Sequence, residues 1–374
     1  MKKLASPFLA VFAALFLAVP ASAADDAPEV SAHAAIVMHA DTLEVLYEKN
    51  ADEHMLIAST TKLMTALVAL EECRPDDMVD ITPEMCGIEG SSMYLHAGEK
   101  YSVEELLCGL LLVSGNDAAT ALALHTAGSI EEFARLMNEK AQELGMTGTH
   151  YENPHGLDAP EHYSTARDLA LLMAECMDEP VIAEIGAYSQ RTVGEKLLMN
   201  HNRLINEYPG CTGGKTGYTM AAGRCLVTCA EREETRFICV TLSDPDDWAD
   251  HAALYDWAFG NYVYAPVIDP EMEIRLPVAG EESAVLYPAS EARVLLEKGG
   301  AAEPETHIEL PPFIFGPVRS GEELGRVSVT LDGEEIASRP LVSAAGAGNF
   351  PLLEQIKYIE RFIGLAGPYY LRAE

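Results

Sequence analysis

Strand-like segments stand at both ends of residues 34–242, and helix-like segments fill the sequence between them. Residues 34–48 predict two short strands around the polar turn Ala40-Asp41-Thr42. Short apolar or alternating segments at 224–229 and 237–242 predict two further strands. Strands from the two ends of such a segment can share one antiparallel sheet that helices cover. The pattern therefore predicts an α+β fold with an antiparallel sheet.

The middle of this segment has the period of helices. Residues 63–70 are too rich in Leu, Met and Ala for a strand and predict a helix that opens close to Ser59. Residues 130–144 place their apolar side chains on one face, which is typical of a helix packed on a core. Further helices are predicted at 103–112, 118–127 and 166–176, with a break between the first two at Ser114-Gly115-Asn116.

The N-terminus has the features of an export signal. Lys2 and Lys3 precede a short apolar run at 8–19, and Ala21-Ser22-Ala23 fits the small-x-small cleavage pattern. The apolar run is too short and wrongly flanked for a membrane-spanning helix. We therefore expect removal of residues 1–23 and a mature protein that acts outside the cytoplasm, in the cell envelope.

A second domain is expected after the helix-like segment 251–259. Short alternating runs and the turn Asp332-Gly333 predict a small β-rich domain, and residues 344–349 (AAGAGN) predict a flexible linker. The predicted organisation is a signal peptide at 1–23, a main domain at 24–260, a β-rich domain at 261–345, and a linker with an amphipathic helix at 346–374.

The predicted C-terminal helix has two interpretations. An apolar stripe at helical spacing is typical of a helix in a membrane interface, and equally of a helix packed on its own domain. Both remain open at this point. The stripe consists of Leu352, Leu353, Ile356, Ile359, Phe362 and Ile363.

Composition narrows the possible partners. A formal net charge of -34 repels nucleic acid, because binding requires cations that neutralise phosphates. Eight cysteines in an exported chain raise the question of disulfides, and Cys73 with Cys86 is the pair close enough in sequence to suggest a surface bridge. No C-x-x-C pair occurs, which argues against a zinc ribbon or a redox site. We expect neither a metal nor a cofactor.

Three short polar motifs carry the chemistry. Ser59-Thr60-Thr61-Lys62 is an S-x-x-K arrangement at a helix start, where residues three apart face each other. Ser114-Gly115-Asn116 follows between helices, and Lys215-Thr216-Gly217, followed by Tyr218, comes just before the closing strands. Ser59 needs a base that activates its hydroxyl. Lys62 can act as this base only as a neutral amine, and burial together with the charge of Lys215 would lower its pKa.

In this order the motifs are the signature of penicillin-interacting serine enzymes. The sequence resembles the low-molecular-mass penicillin-binding proteins, the D-alanyl-D-alanine carboxypeptidase family of serine peptidases. The resemblance runs from about residue 34 to residue 259, and the β-rich remainder and terminal helix resemble the family's second domain and membrane anchor less specifically. It also includes GSSM at 90–93, LMNEKAQELG at 136–145, NPHGL at 153–157 and HYSTA at 162–166.

The resemblance implies a β-lactamase/transpeptidase-like fold and removal of the terminal D-alanine from peptidoglycan stem peptides that end in D-Ala-D-Ala. It also implies acylation of Ser59 by β-lactam antibiotics. Lys215 and Thr216 would bind the substrate carboxylate, and the backbone N–H groups of Ser59 and Tyr218 would form the oxyanion hole. Ser114 would relay a proton to the departing D-alanine, and Asn116 would hold the substrate amide.

One departure concerns the substrate carboxylate. The family commonly has an arginine after the last sheet strand, whereas residues 244–251 contain none. Carboxylate binding would then depend more on Lys215 and Thr216. In the same stretch Asp244, Asp246, Asp247 and Asp250 lack the spacing of a calcium loop, which favours a solvated acidic loop. For His155 a structural role in the loop is favoured over that of a catalytic base.

Two other functions are compatible with the motifs. A class A β-lactamase would need a glutamate that drives deacylation, and no convincing Glu-x-x-x-Asn loop lies between Asn116 and Lys215. A non-catalytic penicillin-sensing or wall-binding module would not require all of the motif residues to be intact. A Ser-His-Asp hydrolase is disfavoured because no serine lies in a G-x-S-x-G elbow.

Overall fold

The computed structural model describes residues 27–279, 282–300, 302–347 and 356. The predicted signal peptide and, apart from Ile356, the predicted C-terminal helix lie outside the described residues. The α-helices are α1 (Lys62–Glu72), α2 (Val103–Leu111), α3 (Asn116–Ala127), α4 (Ile130–Glu143), α5 (Ala166–Asp178), α6 (Pro180–Gly186), α7 (Leu204–Glu207) and α8 (Asp247–Asn261). The strands are β1 (Ala34–His39), β2 (Val45–Lys49), β3 (Met78–Asp80), β4 (Lys100–Ser102), β5 (Gln190–Val193), β6 (Lys196–Met199), β7 (Cys211–Thr219), β8 (Gly223–Arg232), β9 (Thr235–Leu242), β10 (Tyr262–Ile268), β11 (Ile274–Val278), β12 (Glu282–Pro288), β13 (Ala292–Glu297), β14 (Glu305–Glu309), β15 (Glu323–Leu331) and β16 (Glu334–Ser343).

The main sheet has five strands in the order β2-β1-β9-β8-β7, and each neighbouring pair is antiparallel. Strand β1 is buried along its whole length because both faces of the sheet are covered. Its alternate residues Ala34 and Ile36 pack in the core beneath the central helices, whereas Ala35 and Val37 pack with α8 on the other face. The predicted α+β fold, with its first and last strands in one sheet, is confirmed.

The break between α2 and α3 positions a serine. Helix α2 starts at a capping box formed by Ser102 and Glu105, and it ends before Ser114, whose φ of 60° is left-handed. The backbone N–H of Gly115 donates to the carbonyl of Gly109 over 2.9 Å, so the chain turns back on α2 before α3 begins at Asn116. The predicted interruption at Ser114-Gly115-Asn116 is confirmed.

Lys215-Thr216-Gly217 comes just before the closing strands β8 and β9, as expected, and itself lies in a further strand, β7, which pairs with β8 at the edge of the sheet. The suggested surface bridge needs correction. All eight cysteines are free, so Cys73 and Cys86 form no bridge. Instead the Cys73 thiol lies 3.5 Å from the Thr126 hydroxyl, and the Cys86 thiol donates to the Thr82 carbonyl.

Strands β11, β12, β14, β15 and β16 form a second antiparallel sheet with its own apolar core. Asp332 and Gly333 form the predicted turn between β15 and β16, both with positive φ. The first residues of the predicted linker are hydrogen-bonded to other segments. The N–H of Ala344 donates to the carbonyl of Val285, and Ala347 pairs with Val318. Among the described residues, no helix has both the length and the apolar character needed to span a bilayer.

Candidate active site

The Ser59 hydroxyl and the Lys62 amine meet at the start of α1. Residues Ala58–Thr61 form a 3-10 turn, in which the hydroxyls of Thr60 and Thr61 donate back to the carbonyls of Ile57 and Ala58 over 2.7 and 2.8 Å. This turn leads directly into α1, so Lys62 lies one turn beyond Ser59 on the same side. The Lys62 Nζ is 2.9 Å from the Ser59 Oγ.

The other partners of Lys62 are acceptors only. Its amine donates to the Asn116 Oδ1 over 2.6 Å and to the His155 backbone carbonyl over 2.8 Å. The Asn116 amide group is oriented because its Nδ2 donates to the carbonyl of Glu89. A neutral amine has two N–H groups and one lone pair. With both N–H groups used by these acceptors, the lone pair is left for the Ser59 hydroxyl.

Burial favours the neutral form of Lys62. Its side chain is fully buried, which lowers its pKa well below the ordinary value because the charged form loses its hydration. The charge of Lys215 lowers the pKa further, and Asp117 opposes the shift. The site therefore favours the unprotonated amine that a general base requires.

Lys215 reaches the site from β7. Its Nζ lies 3.0 Å from the Ser114 Oγ and 2.6 Å from the Thr216 carbonyl. Burial lowers its pKa to about 7, so near neutrality it gains a proton readily when an anion arrives. Hydrogen bonds thus join Lys62 to Asn116 and, separately, Lys215 to Ser114, and the charge of Lys215 acts on Lys62.

Strand β7 approaches the nucleophile closely at Gly217. A Cβ atom at this position would lie 3.0 Å from both the Ser59 nitrogen and the Ile57 carbonyl oxygen. Only a glycine lets the strand edge come so near. Between β7 and the turn at Ser59 lies a cavity of about 480 Å³, lined by Ser59, Ser91, Ser114, His201, Thr216, Gly217, Tyr218, Arg224, Asp247 and Trp248.

Sequence analysis missed Asp117, the residue after Asn116. Its carboxylate accepts from the Ser92 hydroxyl over 2.6 Å and from the backbone N–H groups of Met93 and Leu95 over 2.8 and 3.0 Å. It thereby ties the loop that contributes Ser91 to the cavity wall. An acid in the first turn of a helix is ordinary, so only its place beside Asn116 could have indicated this role.

The structure gives different roles to the other candidate residues. His155 supplies its backbone carbonyl to Lys62, and burial lowers the pKa of its ring to about 4, with a smaller contribution from Lys62. The expectation of a solvated acidic loop is wrong for Asp244 and Asp247, which are 1% and 3% exposed. Asp244 accepts from Ser31, and Asp247 pairs with Arg224, so neighbouring segments enclose them. The described residues contain no cluster of three or more side chains suited to a metal ion.

Arg224 is a cation that lines the cavity and that the sequence did not indicate. The resemblance implied an arginine after the last sheet strand, β9, whereas Arg224 lies near the start of β8, directly opposite Tyr218 on β7. Its proximity depends on the pairing register of two strands. Spacing along the sequence does not reveal that register.

The chain is similar to known proteins over the segments that form both five-stranded sheets. A family model described as D-alanyl-D-alanine carboxypeptidase matches residues 21–246, and one described as Penicillin-binding protein 5, C-terminal domain, matches residues 273–346. D-alanyl-D-alanine carboxypeptidase DacF of Bacillus subtilis is 34% identical over 365 residues, which cover 92% of this chain and 94% of that protein. DacC of Escherichia coli is 35% identical over 357 residues, covering 90% of this chain and 89% of that protein. The crystal structure of penicillin binding protein 5 from Haemophilus influenzae matches 86% of this chain and 99% of its own, with 30% identity and a TM-score of 0.69.

Proposed function

Because the chain belongs to the D-alanyl-D-alanine carboxypeptidase family, as its motifs predicted, we propose that it removes the terminal D-alanine from peptidoglycan stem peptides. The observation that carries this proposal is the 2.9 Å contact between the buried Lys62 Nζ and the Oγ of Ser59, which lines the cavity. The Ser59 Oγ is farther, 3.4 Å, from the His155 carbonyl, so the amine is its nearer partner. The geometry is that of a nucleophile beside its base.

The reaction begins with attack of the Ser59 Oγ on the carbonyl carbon of the penultimate D-alanine. The hydroxyl proton passes to the lone pair of Lys62. The carbonyl oxygen becomes an anion that the backbone N–H groups of Ser59 and Tyr218 stabilise. One such donor is typically worth about 2.7–4 kcal/mol of barrier.

Collapse of this intermediate breaks the C–N bond and leaves an ester on Ser59. The departing D-alanine nitrogen takes the proton that Lys62 holds, relayed through the Ser114 hydroxyl. Asn116 binds the substrate amide while also orienting Lys62. Water then attacks the ester, Lys62 again accepts a proton, and the shortened peptide leaves as a carboxylate.

Lys215 and Thr216 bind the anionic end of the substrate in this scheme, and Gly217 allows the strand to approach Ser59. A β-lactam would acylate Ser59 by the same attack, with opening of its ring. The class A β-lactamase alternative has no specific support, because no glutamate lines the cavity in the described part of the chain. A non-catalytic sensing module is disfavoured because the base is in contact with the nucleophile.

The proposed location follows from the sequence features. We propose export through the signal at 1–23, catalysis by residues 24–260, and a separate β-rich domain at 261–345. The segment 346–374 would hold the enzyme at the outer face of the cytoplasmic membrane. The net charge of -34 disfavours nucleic acid as a partner.

The test uses the mature chain, residues 24–374, and a diacyl-L-Lys-D-Ala-D-Ala peptide. Free D-alanine is assayed for the wild type, for Ser59→Ala, and for Ser189→Ala as a matched control at an exposed serine outside the cavity lining. We expect release by the wild type and by Ser189→Ala and none by Ser59→Ala. Equal release by all three proteins would refute the assignment.

A further inference from the structure

The cavity contains an arginine that the reaction scheme above does not use. Arg224 lies opposite Tyr218 in the β7–β8 pairing, where facing residues have Cβ atoms about 4.5–5.5 Å apart. Its guanidinium donates through Nη2 to the Asp247 Oδ1 and lies 5.6 Å from the centre of the Trp248 ring. Arg224, Asp247 and Trp248 all line the cavity that holds Ser59.

The guanidinium of Arg224 has hydrogen-bonding capacity to spare. Its Nε is buried and has no hydrogen-bond partner within the described residues, and Asp247 engages only Nη2, so the outer edge of the guanidinium is the part that a ligand can reach. The Arg224 side chain is 41% exposed, whereas that of Asp247 is 4% exposed. Asp247 is itself anchored, because its Oδ1 also accepts from the Trp248 backbone N–H over 2.9 Å at the start of α8. A second carboxylate can therefore approach the guanidinium from the cavity side.

Lys215 is less suited to bind a carboxylate alone. Its Nζ already contacts Ser114 and the Thr216 carbonyl, and burial brings its pKa to about 7. An arginine stays charged at every physiological pH and offers a planar pair of donors that matches a carboxylate. The hydrogen bond to Asp247 raises the pKa of Arg224 further.

We propose that Arg224 receives the terminal carboxylate of the substrate together with Lys215 and Thr216, and that Asp247 is a built-in carboxylate with which the substrate competes for the guanidinium. The proposal rests on the proposed function and deepens it. A residue that recognises the substrate carboxylate thus lies on β8, and the stretch 244–251 contributes Asp247 as the competing anion. Asp247 acts through Arg224 and is a positioning residue, so it sets KM and leaves kcat unchanged.

The test compares two thioesters of diacyl-L-Lys-D-Ala that differ in one group. In one the leaving thiol is D-2-mercaptopropionate, which carries a carboxylate in the place of that of D-alanine. In the other it is ethanethiol, which carries none. Each thioester acylates Ser59, and the leaving thiol takes the proton that Lys62 accepted. Hydrolysis of the ester on Ser59 then completes the turnover. Thiol release is followed with a disulfide dye against an enzyme blank.

For Arg224→Gln we expect kcat/KM on the carboxylate thioester to fall about 10- to 100-fold, as for loss of a charged hydrogen-bonding partner. On the ethyl thioester we expect a change of less than about twofold, which also shows that the variant is folded. Arg203→Gln is the matched control, because Arg203 lies 5.7 Å from the same Trp248 ring but does not line the cavity. Arg203→Gln should leave kcat/KM unchanged for both thioesters. Arg224→Lys should fall between the wild type and Arg224→Gln on the carboxylate thioester.

For Asp247→Asn we expect KM for the carboxylate thioester to fall about three- to tenfold with kcat unchanged. The substitution removes the competing anion and keeps a side-chain oxygen that accepts from the Trp248 backbone N–H. A KM equal to or above that of the wild type would overturn the competing role of Asp247. Equal losses on both thioesters in Arg224→Gln, or none on either, would overturn the role of Arg224. If the wild type cleaves neither thioester, the proposed function itself fails.

Discussion

The close approach of β7 to the turn at Ser59 can be perturbed by one methyl group. In Gly217→Ala the new Cβ would lie 3.0 Å from the Ser59 nitrogen and 3.0 Å from the Ile57 carbonyl oxygen. Both are main-chain atoms that cannot rotate away, so β7 and the turn at Ser59 must separate by a few tenths of an ångström. Overpacking of this kind typically destabilises by about 1–3 kcal/mol.

The separation acts on the two backbone donors proposed for the oxyanion hole. Complete loss of one donor costs about 2.7–4 kcal/mol, so a partial displacement should slow acylation about 10- to 100-fold. The assay is the second-order rate of acylation by a fluorescent penicillin, with the free energy of unfolding measured in parallel. We expect both quantities to fall in Gly217→Ala.

Gly213→Ala provides a matched control on the same strand. Its Cβ would meet the Met177 sulfur at 3.1 Å and the Met173 methyl at 3.7 Å, which are ends of flexible side chains. We expect its acylation rate to stay within about threefold of the wild type. An acylation rate for Gly217→Ala that matches that of Gly213→Ala would refute the reasoning from close approach.

Two further predictions concern burial. Because the pKa of Lys215 is about 7 when folded and about 10.4 when unfolded, the unfolded chain binds the extra proton, so the wild type gains stability relative to Lys215→Met as pH rises. Denaturant unfolding should show the ratio of their unfolding constants changing about tenfold per pH unit between about 7 and 10, and a pH-independent ratio would contradict the burial of a neutral amine. Asp117→Ala should lose about 3 kcal/mol of unfolding free energy because two buried N–H groups lose their acceptor, and its penicillin acylation should slow. Asp76→Ala, at an exposed ion pair, should change neither quantity, and equal behaviour of the two variants would count against a role for Asp117.

The sequence predicts the local half of the site well. Ser59 and Lys62 are neighbours on one turn of a helix, so their contact follows from spacing alone. Contacts that join distant segments are harder, because they depend on where the edge strand β7 packs. The resemblance to a family implied that Lys215 and Ser114 share one site, and their contact is seen only in the structure. The position of Arg224 at the cavity depends on the β7–β8 register. The carbonyl of His155 could not be found from residue types, since every residue has one.

The charge of the cavity differs in sign from that of the chain around it. The chain carries a formal net charge of -34, yet the described cavity wall includes Arg224 and is bordered by Lys62 and Lys215. Asp247 is the only acid among the lining residues, and Arg224 pairs with it. Surface charges are screened beyond about 8–10 Å at physiological ionic strength, whereas groups inside a cavity are screened much less. An anionic peptide end therefore meets repulsion only at a distance and attraction where it binds. Since the base must stay neutral beside these charges, burial of Lys62 is what allows one cavity both to bind an anion and to deprotonate a serine.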